Sequence, residues 1–360
     1  MAKIDKLRRV IDGIDDRILE LLNERAKVVI EIGEVKKKDK AEVRVPDREK
    51  AILERLVSKN PGPFPGAAIP AVFLEIFSAS RSLEQPIRVA HLGPQATFSH
   101  LAGIRHFGSS AHFVPVDSIR DVFGEVERGM ADYGVVPVEN STDGTISSTL
   151  DMFIGSDLSI VGEIMLEVSL YLMNKTGKVE DIKKVYSHPQ PLAQCRDWLN
   201  ANSFMDKAIA AQSTTTAAGV AAKDKSAAVI ASRLAAEVYG LKVVREKIED
   251  KADNKTRFFI ISKKPAPRSG RDKTSVLFSV KDRPGALYDM LKPFASRGIN
   301  LTKIESRPSR HKAWEYIFFL DMEGHRDDDK VKDALSELSK DCLFLKVLGA
   351  YPAGEGADAE

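Results

Sequence analysis

A chain of 360 residues, 43% hydrophobic and 29% charged, has the composition of a soluble globular protein and the length for two or three domains. Its formal net charge of +2 gives no field-scale reason to expect nucleic acid or membrane as a partner. Only Cys195 and Cys342 are present, in no ligand spacing, so the expectation is free thiols in a reducing cytoplasm, with no metal site, no cofactor and no disulfide framework. No apolar run reaches membrane-spanning length, and the opening Met1-Ala2-Lys3-Ile4-Asp5 carries an acid, unlike a secretory signal.

The first predicted element is a long helix. Ile4, Leu7, Ile11, Ile14, Ile18, Leu21, Val28, Ile32 and Val35 form an apolar seam of about four heptads that one helix cannot bury alone. A second helix is predicted from Asp47 to Ser58. The Pro61-Gly62-Pro63-Phe64-Pro65-Gly66 run breaks it, and a third follows from Ala68 to Glu84. Residues 1–85 are therefore expected to be all-helical.

Arg25 stands where the seam should be apolar. A polar residue there can simply fix register, but a charge left unpaired is costly. Arg8 and Lys36 flank the same seam, and Arg48-Glu49 opens the next helix. Cations converging on a dry groove point to a small dicarboxylate. Arg8 and Lys36 would lie about 42 Å apart on one straight helix, more than a metabolite spans. Two antiparallel copies would bring Arg8 of one chain to the Arg25–Lys36 half of the other, so a homodimer or higher homo-oligomer with shared sites is expected.

Arg8, Arg25, Lys36, Arg48-Glu49, Ser80 and Glu84 together give this block a resemblance to the all-helical chorismate mutases. The resemblance implies rearrangement of chorismate to prephenate without covalent catalysis. Arg8 (from the partner chain), Arg25 and Arg48 would hold the two carboxylates. Lys36 and Glu84 would stabilise charge on the breaking ether oxygen, and Glu49 and Ser80 would bind hydroxyl or carboxylate oxygens. Val45 replaces the acid of some members. Glu84 replaces a Gln and must be protonated to donate, so activity is expected to fall as pH rises.

Gln85-Pro86 punctuates the start of a second block, 87–262. Strand-like runs at Ile87–His91, Tyr133–Val138, Val168–Met173, Lys184–Ser187, Ala227–Ile230 and Phe258–Ile261 alternate with helical ones, which argues for α/β with mainly parallel sheets. Four polar loops sit at element ends: Gly93-Pro94-Gln95-Ala96-Thr97-Phe98-Ser99, Pro137-Val138-Glu139-Asn140-Ser141-Thr142-Asp143-Gly144, Ser187-His188-Pro189-Gln190 and Ser213-Thr214-Thr215. Hydroxyls ahead of a helix suit a carboxylate; taken singly, Ser99 and Thr215 read as caps and His188 as a loop residue. Thr256-Arg257-Phe258 opens the last strand with a hydroxyl, a fixed cation and an aromatic face.

Gly-Pro…Thr-Phe-Ser, Val-Glu-Asn-Ser-Thr, Ser-His-Pro-Gln with Gln194-Cys195, and Thr-Arg-Phe together resemble the prephenate dehydratases. That family implies two α/β lobes like a periplasmic binding protein, the second at about 167–243, and loss of CO2 and water from prephenate in the cleft between them. Thr256 would be catalytic at the departing hydroxyl, Arg257 would bind a substrate carboxylate and Phe258 would wall the cleft. Thr97, Ser99, Asn140, Ser141, Thr142, Ser187 and Gln194 would complete the binding set. Cys195 has no accompanying base and reads as structural. Gln95-Ala96 departs from the family's Glu-Gly.

The Pro-containing stretch 263–270 reads as a linker. Residues 273–351 read strand (Thr274–Val280), helix (Gly285–Ser296), two strands (Leu301–Arg307, Trp314–Met322), helix (Asp327–Lys340) and strand (Leu343–Gly349), a ferredoxin-like βαββαβ α+β unit; the tail after Pro352 is expected to be disordered. Gly285-Ala286-Leu287, Asn300-Leu301 and Glu305-Ser306-Arg307-Pro308 give it a resemblance to the phenylalanine-responsive ACT domains. The resemblance implies an allosteric L-phenylalanine site on those residues. Tyr288 replaces a smaller apolar residue.

The whole is expected to be a bifunctional, phenylalanine-inhibited enzyme. An arogenate dehydratase, or a non-enzymatic amino-acid sensor on the same folds, are the alternatives.

Overall fold

The computed structural model describes residues 2–39, 46–142, 144–251, 253–280, 283–308 and 316–354. Val45, Trp314 and the tail from residue 355 lie outside them. The chain divides into two compact units, residues 1–87 with 107–112, and the remainder.

The first unit holds α1 (Ala2–Asp39), α2 (Pro46–Ser58) and α3 (Ile69–Glu84). Helix α1 meets α3 through Val29 and Gly33; a Cβ on Gly33 would lie 3.1 Å from the Glu84 side chain, so glycine permits the approach. Toward its N-terminus α1 has no such cover, and Ile4, Leu7, Ile11, Ile14 and Ile18 are all at least half exposed. The 107–112 segment closes the unit: the Ser109 N–H donates to Glu75 at 3.1 Å and the Ser110 N–H to Ser78 Oγ at 3.1 Å.

In the second unit, β1 (Arg88–Leu92), α4 (Phe98–Phe107), β2 (His112–Val116), α5 (Ile119–Glu127), β3 (Tyr133–Asn140), β4 (Gly144–Thr145), α6 (Ser147–Gly155) and β5 (Ser159–Glu167) build a first lobe. The second lobe comprises β6 (Tyr171–Asn174), β7 (Lys184–Ser187), α7 (Pro189–Gln194), α8 (Arg196–Ala201), β8 (Ala208–Ala210), α9 (Thr214–Lys223), β9 (Ala227–Ala231), α10 (Arg233–Tyr239) and β10 (Lys242–Arg245). Strand β11 (Lys255–Ser262) returns to the first sheet, ordered β2-β1-β3-β11-β5, while the second runs β10-β6-β9-β7-β8.

The sheets are mixed, against the expectation of mainly parallel ones. Strands β1 and β3 pair parallel, as do β7 with β8 and β9, but β11 is antiparallel to both β3 and β5, and β6 to β9 and β10. The chain's route explains this. Strand β5 ends at the lobe junction and β11 starts there (Lys255 opposite Glu167), so the strands that cross between lobes oppose their neighbours.

The last module runs β12 (Asp272–Val280), α11 (Ala286–Ala295), β13 (Leu301–Pro308), β14 (Tyr316–Glu323), α12 (Asp329–Asp341) and β15 (Cys342–Pro352), as one antiparallel sheet ordered β13-β14-β12-β15. All nine residues of β12 are buried, because both sheet faces are covered. Val276 and Phe278 pack with Met290, Phe294 and Leu338 of the module's helices. On the other face Leu277, Phe319, Leu348 and Tyr351 join Phe153, Phe259 and Ile261 in one hydrophobic core with the first lobe. A Cβ on Gly349 would collide with the Ile160 carbonyl oxygen, so there the two backbones touch. The third module is thus packed onto the first lobe as a second sheet.

Candidate active sites

The helical unit encloses a cavity of about 370 Å³ lined by Arg25, Val28, Ile32, Lys36, Arg48, Glu49, Phe77, Ser80, Arg81 and Glu84. The heptad spacing of α1 brings Arg25 and Lys36 to one face, and α3 answers with Ser80 and Glu84. The Arg25 guanidinium donates to Ser80 Oγ and stands 5.5 Å over the Phe77 ring. Lys36 Nζ lies 3.1 Å from Glu84. Arg81, not anticipated from the sequence, is buried and donates both to Glu49 and, at 2.6 Å, to the Phe107 carbonyl. It fixes Glu49 at the cavity wall. Arg8 is on the exposed stretch of α1, paired with Asp5 at 3.5 Å, and does not line this cavity.

Between the two α/β lobes lies a cleft of about 330 Å³. Its walls include Leu92, Thr97, Ser99, Asn140, Val168, Leu170, Gln194, Thr214, Ser232, Thr256 and Phe258. The C-terminal ends of β1 and β3 deliver the first-lobe groups, and the N-termini of α4 and α9 open toward the same space. Asn140 sits opposite Thr256 in the β3–β11 ladder, and Phe258 opposite Pro137. The register shifts between those pairs, so Val138 has no partner of its own. A proline cannot donate to the ladder, and this irregularity puts Pro137 and Asn140 on one face although three positions separate them.

The hydrogen bonds at Thr256 have a definite polarity. Asn140 Nδ2 donates to Thr256 Oγ1 at 2.8 Å and to Asn254 Oδ1 at 2.7 Å, while Asn140 Oδ1 accepts from the Thr142 N–H at 2.8 Å. An amide nitrogen only donates, so Thr256 Oγ1 is the acceptor and its proton is directed elsewhere. Asn254 is buried and holds the other side of the Asn140 amide.

The loop before α4 is anchored from both lobes. Ala96 takes φ +64°, a left-handed conformation that glycine adopts without cost, and its carbonyl accepts from Ser232 Oγ at 2.9 Å while its N–H donates to His100 Nδ1 at 3.1 Å. The His100 ring stacks on that of His91 with centroids 4.7 Å apart. Burial first, and then the neighbouring His100, push His91 down to about 4, so both rings are neutral near pH 7. Cys195 is fully buried, and burial raises its thiol far above the ordinary value, which suits a structural role.

Arg257 departs from expectation. Strand alternation turns it away from Thr256 and Phe258, and it does not line the cleft. Its guanidinium is buried among acids: Nε donates to Glu163 at 2.8 Å and Nη1 to Asp321 at 2.6 Å and Glu139 at 3.1 Å, while Nη2 donates to Tyr351 Oη at 3.2 Å. Burial opposes its charge, but Asp321, Tyr351, Glu163 and Glu139 hold the group well above the usual arginine value. Among the described residues, no lysine or arginine walls the cleft.

A model of the chorismate mutase type II family matches residues 7–85, the prephenate dehydratase model residues 89–266 and the ACT domain model residues 274–340. The bifunctional chorismate mutase/prephenate dehydratase of Aquifex aeolicus is 49% identical over 356 residues, covering 98% of each chain. The chain belongs to the bifunctional chorismate mutase/prephenate dehydratase family. Among solved structures, a prephenate dehydratase from Arthrobacter aurescens in complex with L-Phe is 34% identical with TM-score 0.67, covering 76% of this chain and 91% of that one. A quorum-quenching acylase, GqqA, is 31% identical with TM-score 0.68, covering 74% of this chain and 98% of that one. Since a protein with another named activity shares the fold, the chemistry has to be argued from the site.

Of the residues expected to serve this family's two reactions, Arg25, Lys36, Arg48, Glu49, Ser80 and Glu84 meet in the helical cavity, and Thr97, Ser99, Asn140, Gln194, Thr256 and Phe258 in the cleft. Ser141 and Ser187 are not among the cleft's walls. Ser141 Oγ donates to the Asp253 carbonyl at 2.9 Å, and Ser187 is fully buried and donates to Ile230 at 2.6 Å. Thr142 acts through its backbone on Asn140.

The residues expected to form the sensor site point two ways. Gly285 caps α11 in a left-handed conformation, Leu287 is exposed, and Asn300 donates to Glu323 at 3.0 Å. On β13, Ser306 and Pro308 are exposed, but Glu305 accepts from Thr145 Oγ1 at 2.9 Å and Arg307 pairs with Asp151 at 2.9 Å. Glu305 and Arg307 thus face the dehydratase lobe. Among the described residues no helix is long and apolar enough to cross a membrane, and no cluster of metal-type ligands occurs.

Proposed function

We propose that this chain converts chorismate to prephenate in the helical cavity and prephenate to phenylpyruvate, CO2 and water in the interlobe cleft, under inhibition by L-phenylalanine. The polarity of the Asn140–Thr256 hydrogen bond carries the second assignment. With Oγ1 accepting from Asn140, the Thr256 proton is free for the ring hydroxyl as it departs. The C–CO2 bond breaks, its electron pair aromatises the ring, and the hydroxyl leaves as water with that proton, which Thr256 Oγ1 relays from solvent water and so regains. Leu92, Val168, Leu170 and Phe258 give the departing carboxylate an apolar wall, which favours neutral CO2 over the anion.

The carboxylate that stays is held without a cation. The N-terminal N–H groups of α4 and α9, with the hydroxyls of Ser99 and Thr214, supply the positive end, while Thr97 Oγ1 donates to the Leu92 carbonyl at 3.0 Å and holds the loop. Arg257, which lies outside the cleft wall, takes no part in this contact.

In the mutase, Arg25 and Arg48 bind carboxylates and Lys36 and Glu84 face the ether oxygen. Arg8 comes from a second copy, whose own α1 would cover the exposed apolar stretch from Ile4 to Ile18. A homodimer in the cytoplasm, with domains at 1–85, 87–262 and 273–351, is the assembly this reading requires. L-Phe binds the exposed edge of the last module; that a relative was solved with L-Phe supports this.

The test supplies the purified protein with chorismate, prephenate or arogenate, with and without added Phe, and follows phenylpyruvate or Phe. Phenylpyruvate from both chorismate and prephenate is expected. Product from arogenate alone would assign the other dehydratase, and no product from prephenate would sink the reading.

A further inference from the structure

We propose that Arg257 is a positioning residue that locks the strand bearing Thr256 to the sheet of the last module, so that movement of that sheet displaces the Thr256 hydroxyl. The inference rests on the reading of Thr256 as proton donor.

Three buried or largely buried cations, Arg257, Lys273 and Lys303, interleave with the carboxylates of Glu139, Glu163 and Asp321. Their origin decides the matter. Arg257, Glu139 and Glu163 come from the first lobe's β11, β3 and β5, while Lys273, Lys303 and Asp321 come from β12, β13 and β14 of the sensor sheet. Each set is unbalanced alone, and separating them would leave charges buried without partners, which costs far more than the pairs gain. Ser275 continues the network, donating to Asp321 and standing 2.7 Å from Tyr351 Oη.

Thr256 and the Asn140 that orients it are each next in sequence to a member of this network. Thr256 precedes Arg257, and Asn140 follows Glu139. A shift of β14 or β15 that carries Asp321 and Tyr351 therefore pulls on both ends of the Asn140–Thr256 hydrogen bond. A misplacement of about 1 Å at a reacting group costs roughly 100-fold in rate. Ion pairs of this kind have discrete arrangements, which makes the interface a two-position element.

The full-length protein carrying Asp321→Asn, Tyr351→Phe or Arg257→Met provides the test, with dehydratase kcat and prephenate KM, mutase rate and Phe half-inhibition measured for each. Asp321 and Tyr351 belong to the sensor sheet and do not line the cleft. Asp321→Asn is expected to lower dehydratase kcat by roughly 10-fold or more, and Arg257→Met by roughly 100-fold, with KM within about threefold and mutase rate unchanged. The milder Tyr351→Phe keeps every charge, and should lower kcat by about threefold and shift Phe half-inhibition by about fivefold or more. The double variant Arg257→Met/Asp321→Leu should recover part of the loss, because no charge is then orphaned. Wild-type kcat and Phe response in Asp321→Asn and Tyr351→Phe would overturn the proposal, as would an Arg257→Met that raises KM about 10-fold at unchanged kcat, the mark of a substrate clamp. Should Arg257→Met not fold, Tyr351→Phe decides. Thr256→Ala, run alongside, tests the underlying role separately: retained dehydratase turnover would refute the proton donor whatever the other variants do.

Discussion

Asn140 Nδ2 lies 2.8 Å from Thr256 Oγ1, and its direction of donation sets which way the threonine proton points. Replacing Asn140 by Ala should lower dehydratase kcat by roughly 100-fold, the usual scale for loss of one fixed donor. Asn140→Asp should do at least as much harm, because a carboxylate accepts and would capture the Thr256 proton. Mutase rate is the internal control. Equal, small effects from both variants would contradict the assigned polarity.

His91 couples stability to pH. Its ring is fully buried and its Nε2 finds no hydrogen-bond partner among the described residues. The unfolded chain takes up a proton from about pH 6.5 downward, the folded one only near 4. A group depressed on folding contributes stability that is complete above its unfolded value and is lost as pH falls toward its folded one. The loss between those limits is about 3 kcal/mol. His91→Phe keeps the packing against His100 and removes the titration, so the decline in melting temperature between pH 7 and pH 5 should shrink. An unchanged decline would place the acid sensitivity elsewhere, Glu139 and Glu163 being the next candidates. Burial works against both carboxylates, but Lys303 and Arg257 at Glu139, and Arg257 and Lys273 at Glu163, hold them low.

What was legible in the sequence divides along a physical line. Residues that stand out by local chemistry, such as Arg25 in an apolar seam or Thr256 at a strand entry, line the cavity and the cleft respectively. Arg257 was misread, although the signal existed: with Thr256 and Phe258 at the cleft, period-two alternation already puts Arg257 on the other face. Its partners could not be read. Glu163 makes β5 look too polar for a buried strand, and Arg257 and Lys273, both far along the chain, explain why a carboxylate stands there. The irregularity at Val138, which aligns Pro137 with Asn140, leaves no local signature at all.

Glu84 lies 3.1 Å from Lys36 in the mutase cavity. Glu84→Ala should lower mutase turnover by roughly 100-fold and leave the dehydratase unchanged, because one group fixed at the developing charge is lost. Glu84→Gln supplies a permanent N–H donor at the same place, so it should retain more turnover than the Ala variant. Chorismate turnover measured for the three proteins decides it, and an Ala variant as active as the parent would remove Glu84 from the role.

Arg8 can serve the mutase cavity only in trans, because it lies on the exposed stretch of α1, outside the cavity formed by its own chain. Arg8→Ala and Lys36→Ala should each abolish mutase activity while sparing the dehydratase. When the two inactive proteins are unfolded together and refolded as a mixture, half the dimers are mixed. Each mixed dimer holds one site with Lys36 from one chain and Arg8 from the other, and one site lacking both. About a quarter of the parent's mutase activity should return. Ile11→Glu, which charges the apolar seam without touching either residue, should make the protein monomeric and prevent that recovery. No recovery in the mixture, with the chains shown to exchange, would put Arg8 outside the site.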